Sequence, residues 1–145
     1  MRRRLNNKAE TEAFAVDLAA TLKPGNCVGL TGELGAGKSV FARAVMRALG
    51  VKDRAMPSPT FSLIQEYAGG GCKIAHMDWF RLASPDEIEA LGVRDYFKPP
   101  WICLIEWPER APELLPDTAI GVKLECVEDN PDARLIGIRR AEAAD

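Results

Sequence analysis

Residues 27–39 read Cys27-Val28-Gly29-Leu30-Thr31-Gly32-Glu33-Leu34-Gly35-Ala36-Gly37-Lys38-Ser39. The first five form a short apolar run, the pattern of a strand buried on both faces. The last eight satisfy G-x-x-x-x-G-K-[ST] at every fixed position. Glycines at 32, 35 and 37 allow backbone angles and a close approach that a β-carbon would block. The amides between them can turn inward as an anion-binding nest, backed by the positive end of the following helix. Within that pattern Lys38 is placed to reach the β- and γ-phosphates, and the Ser39 hydroxyl is suited to magnesium. The motif needs a strand before it and a helix after it. Residues 39–49 supply the helix, with Phe41, Ala42, Val45, Met46 and Leu49 on one face and Gly50 as a stop. A glycine-rich turn carrying a surface lysine is the competing reading, and the strand–loop–helix frame argues against it. The expectation is a nucleoside triphosphate site whose phosphate-binding residues are Glu33, Leu34, Gly35, Ala36, Gly37, Lys38, Ser39 and Val40.

Upstream, residues 10–22 set Ala13, Phe14, Val16, Leu18, Ala19 and Leu22 on a helical stripe that Pro24-Gly25 ends. Downstream, the two prolines of Met56-Pro57-Ser58-Pro59-Thr60-Phe61 favour an extended, ordered loop. Residues 61–67 and 72–77, separated by Gly69-Gly70-Gly71, read as a hairpin. Ser84-Pro85-Asp86-Glu87 is a helix start, with Ser as N-cap and acids in the first turn. Trp101 to Trp107 is the most apolar run of the second half. Residues 120–127 and 134–138 are two more strands, joined through Asp129-Asn130-Pro131-Asp132. No repeat or linker interrupts the chain. The prediction is an α/β fold: one P-loop NTPase-like domain over residues 1–145, with a central mixed sheet and flanking helices.

The composition bounds the function. The chain has 145 residues, 47% of them hydrophobic and 28% charged, with a net charge of −2. No like-charge block extends beyond Arg2-Arg3-Arg4, so direct binding to DNA is not expected and any tie to RNA is expected to be indirect. The polar Leu5-Asn6-Asn7-Lys8-Ala9-Glu10 after those arginines is no signal peptide, and no window reaches ~20 apolar residues. A cytoplasmic location follows, without a membrane partner. Cys27, Cys72, Cys103 and Cys126 show no C-x-x-C spacing, so they read as buried small hydrophobes, not a zinc site.

A P-loop enzyme needs a further carboxylate at the end of a buried strand, to hold magnesium directly or through water. Asp78 ends Lys73-Ile74-Ala75-His76-Met77, and Glu106 ends Ile102-Cys103-Leu104-Ile105. Either fits; Glu106 follows the more apolar strand and is favoured as the residue facing the metal. Thr60, on the proline-stiffened loop, is a candidate γ-phosphate sensor, against an equal case for a hydroxyl satisfying a local turn. His76, the single histidine, reads as structural before catalytic. Trp79, Trp101 and Trp107 flank the acids as packing residues, with Trp107 also placed to lie near the nucleotide or a partner.

The order GELGAGKS, SPTF, HMDWFRL, DEIEALGVRDYF, ICLIEWPE and LPD resembles the TsaE (YjeE) family, the small bacterial P-loop ATPases of tRNA threonylcarbamoyladenosine synthesis. The resemblance runs from about Gly25 to Asp117. It implies a weak magnesium-dependent ATPase whose cofactors are ATP and Mg²⁺ and whose partners are TsaD and TsaB, with tRNA reached through that complex. By position it implies roles for Lys38 and Ser39 as Walker lysine and metal-binding hydroxyl. It makes Glu106 the metal-associated glutamate, and Asp78 and Thr60 residues needed for function. The family commonly has Asp where Glu33 stands, Thr where Ser39 stands and tyrosine near Trp79 and Phe80. Adenine contacts, from Asn6-Asn7 or Arg134, are open. A small-molecule kinase would need an arginine-bearing lid, for which Arg81 and Arg94 are the candidates. A guanine-reading switch would need N-K-x-D downstream, and Asn7-Lys8 lies upstream.

Overall fold

The computed structural model describes residues 1–53, 56, 64–80 and 84–140. The elements, in order, are β1 (Arg2–Leu5), α1 (Lys8–Ala19), β2 (Cys27–Thr31), α2 (Lys38–Ala48), β3 (Ile64–Gly69), β4 (Cys72–Asp78), α3 (Pro85–Ala90), β5 (Trp101–Glu106), β6 (Ile120–Val127) and β7 (Asn130–Arg139). Short 3₁₀ turns at Val93–Tyr96, Pro108–Arg110 and Pro112–Leu114 join the later strands. All seven strands form one sheet in the order β1-β7-β6-β2-β5-β4-β3. The middle four, β6, β2, β5 and β4, run parallel, and antiparallel strands complete both edges. The mixed sheet expected from the sequence is present.

Alternation along the central strands sorts side chains onto two faces. Val28 and Leu30 of β2, Ile74 of β4, and Ile102 and Leu104 of β5 pack with Phe14, Leu18, Phe41, Val45 and Met46 of α1 and α2. Cys27, Ala75, Met77, Cys103 and Ile105 face the other way, against Ile88 of α3, Val93 and Leu114. Strands buried on both faces are why residues 27–31 and 102–105 read as continuous apolar runs.

Three boundaries move. Helix α1 starts two residues earlier than its apolar stripe suggests, because Asn7 caps it, with Oδ1 accepting the Glu10 amide at 2.9 Å. Within α1, Phe14, Ala15, Leu18 and Ala19 are buried while Ala13 and Val16 face solvent, so the true stripe is narrower than the expected one. Strand β1 has no counterpart in the sequence reading. Arg2-Arg3-Arg4 shows no apolar alternation, yet it pairs with β7 through backbone bonds, and only Leu5 is buried. Charged residues on an edge strand also discourage further pairing. Strand β7 begins at Asn130, which pairs with Val127 across a register shift, so the reversal narrows to Glu128-Asp129. Pro131 is tolerated because β1 pairs only with residues 134–137, leaving that stretch of β7 an edge.

The cysteine expectation needs correcting in part. Cys27 and Cys103 are buried, whereas Cys72 is half-buried and Cys126 is exposed beside the P-loop, with Sγ 3.9 Å from the Gly35 carbonyl. The end of β6 faces solvent there.

Candidate functional site

The loop between β2 and α2 stands at the carboxyl ends of the parallel strands, where open α/β sheets bind ligands. Gly32, Gly35 and Gly37 have φ of +151°, +85° and +95°. At Gly32 the need for glycine is steric as well: a β-carbon would lie 2.5 Å from the Leu124 carbonyl oxygen of β6. Gly37 is the N-cap of α2 and has no side chain to cap it. The first-turn amides of a helix begun in this way point out of its N-terminal end, where an anion binds.

Lys38, the first residue of α2, is 5% exposed. Its ammonium donates to the Gly32 and Glu33 carbonyls and lies 3.6 Å from the centroid of the Trp107 ring. Burial pushes its pKa below the ordinary lysine value, while the charges of Glu106, Glu109 and Asp78 pull it back up. Trp107 is the single non-glycine residue with positive φ among the described residues, at +61°. That turn lays its indole over Lys38. Phe80 packs 4.7 Å from the indole, and the Arg110 guanidinium lies 5.1 Å from the Phe80 ring.

Strand parity brings the acids to this point. Asp78 and Glu106 are register partners at the ends of β4 and β5. Both share the face of Ile74, Ile102 and Leu104, which α2 covers. Glu106 is 3% exposed, and its two carboxylate oxygens accept from Ser39 Oγ at 2.8 and 2.9 Å. His76, fully buried, places Nε2 2.7 Å from Glu106 Oε2. Asp78 accepts the Phe80 amide at 2.8 Å. Its pKa is raised, first by burial and then by the Glu106 charge, against the Phe80 hydrogen bond and the charges of His76 and Lys38.

Lys38, Ser39, Asp78 and Glu106 thus converge. Thr60 and Arg81 lie outside the described residues. Leu34 is 82% exposed and Val40 58%, both at the surface around the loop. Arg94 is taken up by Glu89, with Nε 2.9 Å from both oxygens, and Asn7-Lys8 is spent on capping and starting α1. Sequence reasoning undervalued two residues. His76 reads from the sequence as a hydrogen-bonded structural residue, and the structure adds that its partner is Glu106. Arg134 reaches from β7 to donate to the Ala36 carbonyl at 2.9 Å. It also lines a cleft of about 130 Å³ beside the loop, with Thr11, Ala36, Gly37, Val40 and Ala44. A larger groove of about 630 Å³ lies across β6, β7 and β1 and holds none of the motif residues.

The donor set fits magnesium–nucleotide. The hydroxyl and carboxylate that meet at Ser39 and Glu106 are hard oxygen donors, and Mg²⁺ takes few protein ligands when phosphates supply the rest. Among the described residues no three His, Cys, Asp or Glu side chains gather into a metal cage.

The family description "Threonylcarbamoyl adenosine biosynthesis protein TsaE" matches residues 5–136. The chain belongs to the TsaE family. A "tRNA threonylcarbamoyladenosine biosynthesis protein TsaE" of Rickettsia bellii is 42% identical over 134 residues, covering 92% of this chain and 91% of the relative. Its namesake in Bacillus subtilis is 39% identical over 124 residues, 86% of this chain and 77% of that one. The crystal structure of Bacillus subtilis YdiB superposes with a TM-score of 0.81 at 32% identity, over 97% of this chain and 85% of that one. As a TsaE-family protein it is a member of the tRNA threonylcarbamoyladenosine synthesis machinery, built on the P-loop NTPase fold. No described helix is long and apolar enough to cross a membrane.

Proposed function

We propose that this protein is the magnesium-dependent ATPase of that machinery, weakly active alone and acting in the cytoplasm with TsaD and TsaB, through which it reaches tRNA. The observation that carries the reading is the meeting of Ser39 and Glu106 beside Lys38, where the first-turn amides of α2 follow the glycine loop. Those amides bind the phosphate chain. Lys38 exchanges the Gly32 and Glu33 carbonyls for phosphate oxygens, which favour its charged form far more than a neutral carbonyl does. Ser39 and Glu106 are the residues that would hold Mg²⁺, which when bound supplies charge neutralisation on the phosphates. Asp78 or Glu106 orients the attacking water; the raised pKa of Asp78 brings it closer to a working proton acceptor. The cleft between Thr11, Val40 and Arg134 is the place for the base. Trp107 covers the Lys38 ammonium with its ring.

The test is phosphate release from ATP by the purified protein with Mg²⁺, with and without TsaB–TsaD. Slow release alone and clear stimulation by the pair are expected. Absence of ATP binding, or phosphate transfer to an added small acceptor in place of stimulation, would overturn the reading.

A further inference from the structure

His76 and Glu106 sit on neighbouring parallel strands of one face. His76 is two residues before Asp78, the register partner of Glu106, so it is the diagonal neighbour of that carboxylate. An apolar residue would continue the series begun by Ile74, and a buried polar pair is often less stabilising than an apolar one of the same volume. The His76 nitrogen Nδ1 has no partner among the described residues, a further cost of keeping an imidazole there. What the imidazole supplies is direction. Ser39 Oγ lies 2.8 Å from one Glu106 oxygen and 2.9 Å from the other, so Ser39 cannot choose between them. The terminal torsion of a glutamate is broad and two-fold, so the side chain alone does not choose either. His76 Nε2, 2.7 Å from Oε2, breaks that symmetry.

We propose that His76 is a positioning residue for metal binding: its Nε2–H holds Glu106 Oε2 and leaves Oε1 as the oxygen presented to Mg²⁺. The inference rests on the reading of Ser39 and Glu106 as the metal-holding pair. Hydrogen-bonded partners of metal ligands typically matter about 10–100-fold in metal affinity.

The test is calorimetric titration of ADP into the wild type, His76→Gln and His76→Met, in EDTA and across a Mg²⁺ series, with a melting curve for each. Glutamine keeps an N–H near the Nε2 position, and methionine fills the space without one. In EDTA all three should bind ADP alike. The Mg²⁺ giving half-maximal tightening should rise about tenfold or more in His76→Met and stay within about threefold of wild type in His76→Gln. Unchanged Mg²⁺ dependence in His76→Met, or equal loss in both variants, overturns the proposal. Should His76→Met not fold, His76→Asn takes its place, since its shorter amide reaches the Nδ1 position instead. Glu106→Gln separates the two levels: if it leaves the Mg²⁺ dependence untouched, the metal-pair reading fails, whereas a loss there with none at His76 sinks this inference alone.

Discussion

The two halves of the sheet do different work. In β2, β5 and β4 both faces are covered, and the strands end together on Thr31, Glu106 and Asp78. In β6, β7 and β1 only the helix-facing side packs into the core; Lys123 and Arg139 of the other side face solvent. The first half gathers the candidate site because burial on both faces fixes where each strand ends. The second half presents almost none of it, yet it touches the P-loop at three points: the Leu124 carbonyl, against which Gly32 is packed, Cys126, whose Sγ meets the Gly35 carbonyl, and Arg134, which holds the Ala36 carbonyl. Chemistry concentrated in one half therefore depends on geometry held by the other.

Substitutions can break that division or sharpen it. Lys38→Ala, inside the first half, is expected to lower ATPase activity at least about 100-fold, read as phosphate release with TsaB–TsaD present. Gly32→Ala, at the seam, drives a β-carbon into the Leu124 carbonyl in a backbone region alanine avoids. It should cost about 2–4 kcal/mol in denaturant unfolding, with ADP binding weakened. A fold and affinity like those of wild type would show that the seam is pliable. Arg134→Ala, wholly in the second half, removes a charged hydrogen bond worth about 1–2 kcal/mol. The expected result is about a tenfold rise in KM for ATP with kcat little changed. A fall in kcat at constant KM would mean that the second half enters the chemistry.

The smallest effect concerns stability and pH. Asp78 has its pKa raised in the fold, so the folded protein binds its proton more tightly than the unfolded chain does. Its ionised form therefore weakens the nucleotide-free fold near neutrality, and that weakening disappears as pH falls through the raised value. Asp78→Asn, which keeps an oxygen for the Phe80 amide, should be more stable than wild type near neutral pH by under about 1 kcal/mol, with the advantage closing toward acid. Urea melts across that range measure it, and a gap that widens toward acid would contradict the assigned direction.

Much of the first half could be read in the chain. The G-x-x-x-x-G-K-S spacing, the apolar runs ending at Thr31 and Glu106, and the Ser84-Pro85 helix start each rest on local rules, and each stands where expected. The second half was harder. A strand written Arg-Arg-Arg-Leu has no period to detect, because it is held by backbone bonds to β7 and not by its side chains. The fuller part of Arg134 was hidden for a similar reason: 98 residues separate it from Ala36, and no spacing rule connects them.

By itself the sequence determined the phosphate loop, its lysine and hydroxyl, the two carboxylates at strand ends, and the family to which they belong. These are consequences of near neighbours: glycines that free a backbone, and a short run of apolar residues that must be buried. Only the tertiary structure decided what the acids touch. The parallel register of β4 and β5 set Asp78 beside Glu106, brought Ser39 onto Glu106 and put His76 on the far oxygen. Pairing between strands far apart in the chain is fixed by packing of the whole sheet, and no local pattern carries it.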